Sequence, residues 1–237
     1  EADAVLMAIG RNPNTDRLDV DAAGLDVTED GVLATDRHQR VLSGGAPVEG
    51  VYALGDVANT WQLKHVANHE ARVVAHNLEH PEDLRSADLA PVPAAVFTRP
   101  QVAAVGLTVE QALAEHGADA ITVKTQAFGD VAYGWAMEDS EGLCTVVAEK
   151  ATGRILGGHI LGHDAANLIQ PLVTGMAFGI DAHRLALGGG AELHISAILA
   201  AGAAAAWARR ASSWRYSATK STGSMLKAGK PPSRVMS

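Results

Sequence analysis

The stretch VYALGDVANTWQLKHVANHEARVVAHNL, residues 51–78, constrains this chain more than any other: an apolar run stops at a Gly-Asp pair and a helical pattern follows. Val51, Tyr52, Ala53 and Leu54 form a run of the kind that fills a strand buried on both faces. Gly55 ends it, and without a Cβ it lets a ligand approach the backbone. Asp56 places a carboxylate at the carboxyl end of that strand, where open α/β sheets bind their ligands. A sugar-like hydroxyl is its natural partner. Ala67, Ala71, Val74, Ala75 and Leu78 recur at helical spacing, which predicts a helix from about Lys64 to about Glu79 with one apolar stripe. The helix start near His65 and Val66 offers free N–H groups and the positive dipole end to an electron-rich atom. An ordinary strand-to-loop turn would read the same way.

A second copy of the theme lies upstream. ADAVLMAIGRNPN has a buried-strand pattern through Val5 to Ile9, then Gly10, Arg11 and the turn dipeptide Asn12-Pro13. Strand-GR-x-PN followed by strand-GD-x-A resembles the carboxyl half of the FAD domain in the pyridine nucleotide-disulfide oxidoreductases. LKHVANHEARVVAHNLEHPEDL, AVFTRPQVAAVGLT, DVAYGWAMEDSEG and GRILGGHILGHDAANLIQPL are similar, within that family, to the mycothione reductase branch. The likeness covers roughly residues 1–187.

That resemblance implies an α/β partial FAD-binding, Rossmann-like segment over residues 1–85 and an α+β dimerisation domain over 91–190. An atypical tail, 191–237, would be Ala-rich, then basic and disordered. FAD is the implied cofactor, with Gly10, Arg11, Gly55, Asp56, His65, Val66 and Ala67 around it. Asp56 would meet the ribityl chain, and residues His65 to Ala67 the pyrimidine edge of the flavin. NAD(P)H as hydride donor, a low-molecular-weight disulfide as substrate, and a homodimer formed through 91–190 follow from the family alone.

Composition limits this expectation. Cys144 is the only cysteine among 237 residues, which excludes an internal disulfide and fits a reducing, cytoplasmic compartment. It sits in GLCTVVAE, a β-type alternation, and reads as a packing residue. The redox Cys pair and the two GxGxxG dinucleotide loops of the family are missing, so the FAD site is expected to be weak or partial. No catalytic residue is assigned. The reading is a carboxyl-terminal fragment of a disulfide reductase, incomplete for catalysis alone; the alternative is a non-catalytic dimerising or flavin-binding remnant. No leader or long apolar run indicates secretion or a membrane span.

The remaining patterns place elements rather than chemistry. Residues 14–50 read as short strands and turns, with Ser43 to Pro47 a flexible turn. His65, His69, His76 and His80 form two i, i+4 pairs, yet the pattern is not HExxH, and solvated histidines are expected rather than a metal. The polar, proline-bearing residues 81–93 mark a boundary. Beyond it, AAVFT, VAAVGL, ITVKTQAF, LCTVVAEK and RILGGHILG read as strands of a mixed sheet. Thr108 to Gln111 form a capping box closed by Gly117. Asp164 is expected to cap a helix reaching Ala177, with Pro171 kinking it.

After Leu187 the likeness fades. The family's terminal His-Pro and Glu dyad has Ile195 and Leu199 at the positions of Pro and Glu, so His194 carries no catalytic role. From Ile195 onward there are seven Lys and Arg and no acids, against twelve Lys and Arg and twenty-seven acids before. Such a tail is expected to be disordered and drawn to its own acidic body; nucleic acid is not expected as a partner.

Overall fold

The computed structural model describes residues 2–87 and 90–188. His194 and the tail lie outside the described residues.

The first unit is built from short pieces. A 3-10 turn at Thr15–Arg17 and isolated bridges between Val27 and Leu33 and between Thr35 and Val41 lead to a hairpin of β1 (Arg40–Ser43) and β2 (Ala46–Tyr52). Gly44 and Gly45 turn it at positive φ, and the Asp26 carboxylate accepts both their N–H groups, at 2.9 and 2.7 Å. The turn predicted at Ser43 to Pro47 is therefore tied to Asp26 by two hydrogen bonds. Leu33, Val41, Ala53 and Ala58 form a small core under the hairpin.

Two strand expectations fail here for one physical reason. Val5 to Ile9 pair with nothing among the described residues, and Val5, Leu6, Met7 and Ile9 are 83%, 89%, 74% and 87% exposed. Val51 to Leu54 are not a strand buried on both faces either: β2 ends at Tyr52, pairs only with β1, and leaves Val51 exposed. A central strand exists only where neighbours on both edges take its N–H and C=O groups.

A 3-10 turn, Gly55–Val57, then leads to α1, which runs over Lys64–Glu79 as the spacing predicts. Its buried face is not the predicted stripe. Val66, Glu70, Val73, Val74 and Asn77 are buried, whereas Ala71, Ala75 and Leu78 are exposed. The true face is rotated by one residue, about 100° around the helix. Two polar side chains occupy it because each finds a full set of partners. Asn77, at 0% exposure, donates to the carbonyls of His38 (3.0 Å) and Arg85 (2.9 Å) and accepts the Arg85 N–H (2.7 Å). This one amide ties α1 to the turn before β1 and to the segment leading into the second unit.

The second unit is a five-stranded sheet of order β3-β4-β7-β6-β5, formed by β3 (Pro93–Val96), β4 (Gln101–Gly106), β5 (Ile121–Ala127), β6 (Leu143–Glu149) and β7 (Ile155–Gly162). Every pairing is antiparallel, which corrects the mixed sheet expected from sequence. Strands β3–β4, β5–β6 and β6–β7 are sequential neighbours, and only the β4–β7 pair joins strands distant in the chain.

Both faces are covered. On one, α2 (Val109–His116) buries Ala112 against Ile121, Val147 and Leu156. Thr108 and Gln111 form the expected capping box, and Gly117 ends the helix. On the other face a broken helix lies over Ala103, Val105, Cys144, Val146 and Ile160. Between the two, α3 (Ala132–Ala136) follows β5. The broken helix is α4 (Ala165–Leu168) and α5 (Gln170–Ala177), so Pro171 interrupts it at the first turn of α5 rather than bending a continuous rod. Asp164 stands before α4 in left-handed backbone, and its carboxylate accepts from the Asn167 amide at 2.7 Å instead of capping a backbone N–H. The described chain closes with α6 (Ala182–Gly188). Gly157 is required by packing: a Cβ there would stand 2.0 Å from the backbone oxygen of Leu107.

Candidate functional site

The residues singled out from sequence meet at one end of the first unit. Arg11, from the otherwise unpaired leading stretch, donates from Nη1 to Asp56 Oδ2 at 2.7 Å and from Nη2 to the Gln62 carbonyl at 2.8 Å. The Gln62 amide donates back to the Arg11 carbonyl at 3.3 Å. The pair is open to water, with side chains 61% and 46% exposed. It therefore adds roughly 0–1 kcal/mol to stability. Its weight lies in joining the two Gly motifs across the chain.

Gly55 holds φ +71°, a conformation that a side chain rarely adopts, and a Cβ there would touch the Ala67 Cβ at 3.4 Å. The turn bearing Asp56 thus lies directly against the first turn of α1. The first intrahelical bond runs from the Ala67 N–H to the Leu63 carbonyl, so the N–H groups of Lys64, His65 and Val66 precede the ladder and point from the positive end of the helix dipole. His65 is exposed, Val66 buried and Ala67 half-buried. Gly10 is exposed at φ +132°, with open space where a Cβ would stand. The structure thus brings Arg11 to Asp56 and Gly55 to Ala67, with His65 and Val66 in the same helix turn, while Gly10 is placed only by its peptide bond to Arg11.

Three further residues hold the site and escaped the sequence reading. Glu70, 1% exposed on α1, accepts the Gly55 N–H at 2.6 Å and the Asn59 side-chain amide at 2.8 and 3.0 Å. Asn59 in turn accepts the Trp61 N–H at 3.0 Å. Gln62 is the third, through its exchange with Arg11. Burial pushes the Glu70 carboxyl above its ordinary range, and the hydrogen bonds from Gly55 and Asn59 offset only part of that. A signal was present in sequence: Glu70 and Asn77 are seven residues apart, in register with Val66 and Val73, and so share the buried face.

The histidines of α1 do not converge. The His76 and His80 rings lie 4.8 Å apart, His76 Nε2 is 2.9 Å from the Asp83 carbonyl, and His80 is 3.7 Å from Glu82. No group of three or more His, Cys, Asp or Glu among the described residues is arranged to hold a metal. Cys144 is fully buried under α4 and α5, and desolvation pushes its thiol up to about 12. It is inert as a nucleophile. Among the described residues no helix is long and apolar enough to cross a membrane.

Comparison with known proteins accords with this geometry. Residues 1–71 match the family described as pyridine nucleotide-disulphide oxidoreductase, and residues 92–199 match the dimerisation domain of that family, past Leu187 where the motif likeness was lost. Over 191 residues the chain is 52% identical to a mycothione reductase of Mycobacterium tuberculosis, covering 79% of this chain and 40% of that protein. It is 36% identical over 175 residues to a dihydrolipoyl dehydrogenase of Chlamydia trachomatis, covering 73% and 35%. A solved structure, the HOCl-induced flavoprotein disulfide reductase RclA from Escherichia coli, superposes with a TM-score of 0.70 at 29% identity over 84% of this chain and 44% of that one. The chain spans less than half the length of these relatives.

Proposed function

The chain belongs to the pyridine nucleotide-disulfide oxidoreductases, within which it resembles mycothione reductase, and on that premise we propose that it carries the carboxyl-terminal part of an FAD- and NAD(P)H-dependent disulfide reductase. One observation carries the proposal: Arg11 and the Gly55-Asp56 turn, from two separate motifs, meet against the open first turn of α1. The donor set suits a flavin nucleotide. Asp56 can accept a ribityl hydroxyl. The N–H groups of His65 and Val66 can face the electron-rich pyrimidine edge, with Ala67 lining it and Gly10 and Arg11 bordering the turn. When bound, FAD supplies the hydride and electron transfer that no side chain of this chain can supply.

The residues present hold part of such a pocket. No pyrophosphate loop occurs in the sequence, and the lone cysteine is buried, so these 237 residues are expected to bind FAD weakly and to reduce no disulfide by themselves. The antiparallel sheet with its broken helix serves as the dimerising half, pairing with a second copy of the chain. We place the domain limits at 1–85 and 91–190, a division supported by the break between α1 and β3. A low-molecular-weight disulfide is the substrate of the whole enzyme.

The test is a titration of the purified chain with FAD by flavin fluorescence, beside sedimentation equilibrium at micromolar concentration. Expected are a dimer and a saturable quench that Asp56→Ala weakens. A monomer that leaves flavin fluorescence untouched refutes the reading; NADPH oxidation with a disulfide acceptor refutes the claim of incompleteness.

A further inference from the structure

We infer that Glu70 is the positioning residue of the Asp56 turn: by accepting from both the Gly55 backbone and the Asn59 side chain, it sets where Asp56 presents its carboxylate to a hydroxyl-bearing ligand. The inference rests on the reading of Asp56 given above and adds to it a residue that touches no ligand.

The geometry is specific. Residues 55–59 form one turn that carries Asp56 outward, and Glu70 grips that turn at both ends. Its Oε2 takes the Gly55 N–H at 2.6 Å, and both its oxygens take the Asn59 amide, at 2.8 and 3.0 Å. Gly55 sits in left-handed backbone, which a glycine adopts without strain, so the position of the turn depends on the groups that hold it. Asp56 itself has no such hold: among the described residues its side chain pairs with Arg11, across a contact open to water. Asn59 passes the constraint onward by accepting the Trp61 N–H.

A carboxylate is a poor choice for a merely structural post at this place. Buried on the inner face of a helix, it opposes its own ionisation, and a neutral side chain of the same shape would be easier to bury. What the carboxylate has and an amide lacks is acceptor capacity on both oxygens. Glutamine at position 70 would keep one acceptor and turn an NH2 group toward the Asn59 NH2, donor against donor. Aspartate at position 59 would reverse that: its carboxylate could receive the amide that Glu70→Gln introduces while still accepting the Trp61 N–H.

The experiment follows from this exchange of roles. Wild type, Glu70→Gln, and the double variant Glu70→Gln/Asn59→Asp are compared by amide hydrogen exchange and by FAD titration. In Glu70→Gln the Gly55 amide should exchange roughly tenfold faster, the fold-change carried by one hydrogen bond, here the Asn59 bond whose loss frees the far end of the turn. The Val73 and Val74 amides in the middle of α1 should keep their protection, and the thermal midpoint should hold or rise. Weaker FAD binding should accompany the change, and the double variant should restore both.

Unchanged exchange at Gly55, or loss of protection in step with Val73 and Val74, overturns the inference. So does a loosened turn that binds FAD as wild type does. A wild-type chain that binds no FAD refutes the flavin reading instead, and the exchange measurements still decide whether Glu70 places the turn.

Discussion

Replacing Asn77 by alanine tests whether one buried amide joins the first unit together. Its side chain is fully buried and makes three hydrogen bonds, at 3.0, 2.9 and 2.7 Å, to two segments distant in sequence. Each such bond contributes about 1 kcal/mol net, so their loss amounts to roughly 3 kcal/mol. A buried group left without a partner would cost about 1–3 kcal/mol more. Here His38 is half-buried and Arg85 exposed, so water can reach the orphaned groups, which keeps the total near the lower figure. The assay is urea titration with hydrogen exchange read at Val73 and Val74, so that α1 is followed apart from the second unit. Asn77→Asp sharpens the test. It keeps the acceptor for the Arg85 N–H but turns a negative charge on two carbonyls, so near neutrality it should be worse than alanine and recover as the pH falls. A loss below about 1 kcal/mol for alanine, or aspartate equal to asparagine at neutral pH, would refute the accounting.

Two further outcomes are expected. With its thiol pushed up to about 12, native Cys144 should react with iodoacetamide at pH 8 roughly a thousandfold more slowly than a free thiol, and fully after denaturation; labelling of the native chain within minutes would contradict the burial. Asp36 is raised by its own desolvation, but the Arg40 guanidinium and the N–H groups of Arg40 and His38 outweigh this and hold it below its ordinary 3.8. A depressed carboxyl stabilises the fold above its unfolded value and loses that contribution as the pH falls through the folded one. Acid unfolding near and below pH 4 should therefore shallow in Asp36→Asn, and an unchanged acid limb would count against the ion pair.

Much of this architecture is legible in the chain itself, wherever local rules decide. The limits of α1, the Thr108 capping box and the closing Gly117 all depend on neighbours within a few residues. The face of α1 did not, because hydropathy places Glu70 and Asn77 outside a core that in fact admits them with their partners. The same blindness hid Glu70 from the site, whose visible members, Gly55 and Asp56, are marked by backbone freedom and charge. Strand direction was equally out of reach: β4 and β7 are far apart in the chain, and no local pattern says which way they run.

The leading stretch from Val5 to Ile9 has a practical consequence. It presents four large apolar side chains to water and, among the described residues, a row of unpaired backbone groups, which is the description of a template for intermolecular strand addition. Any preparation of this chain on its own will carry that adhesive edge.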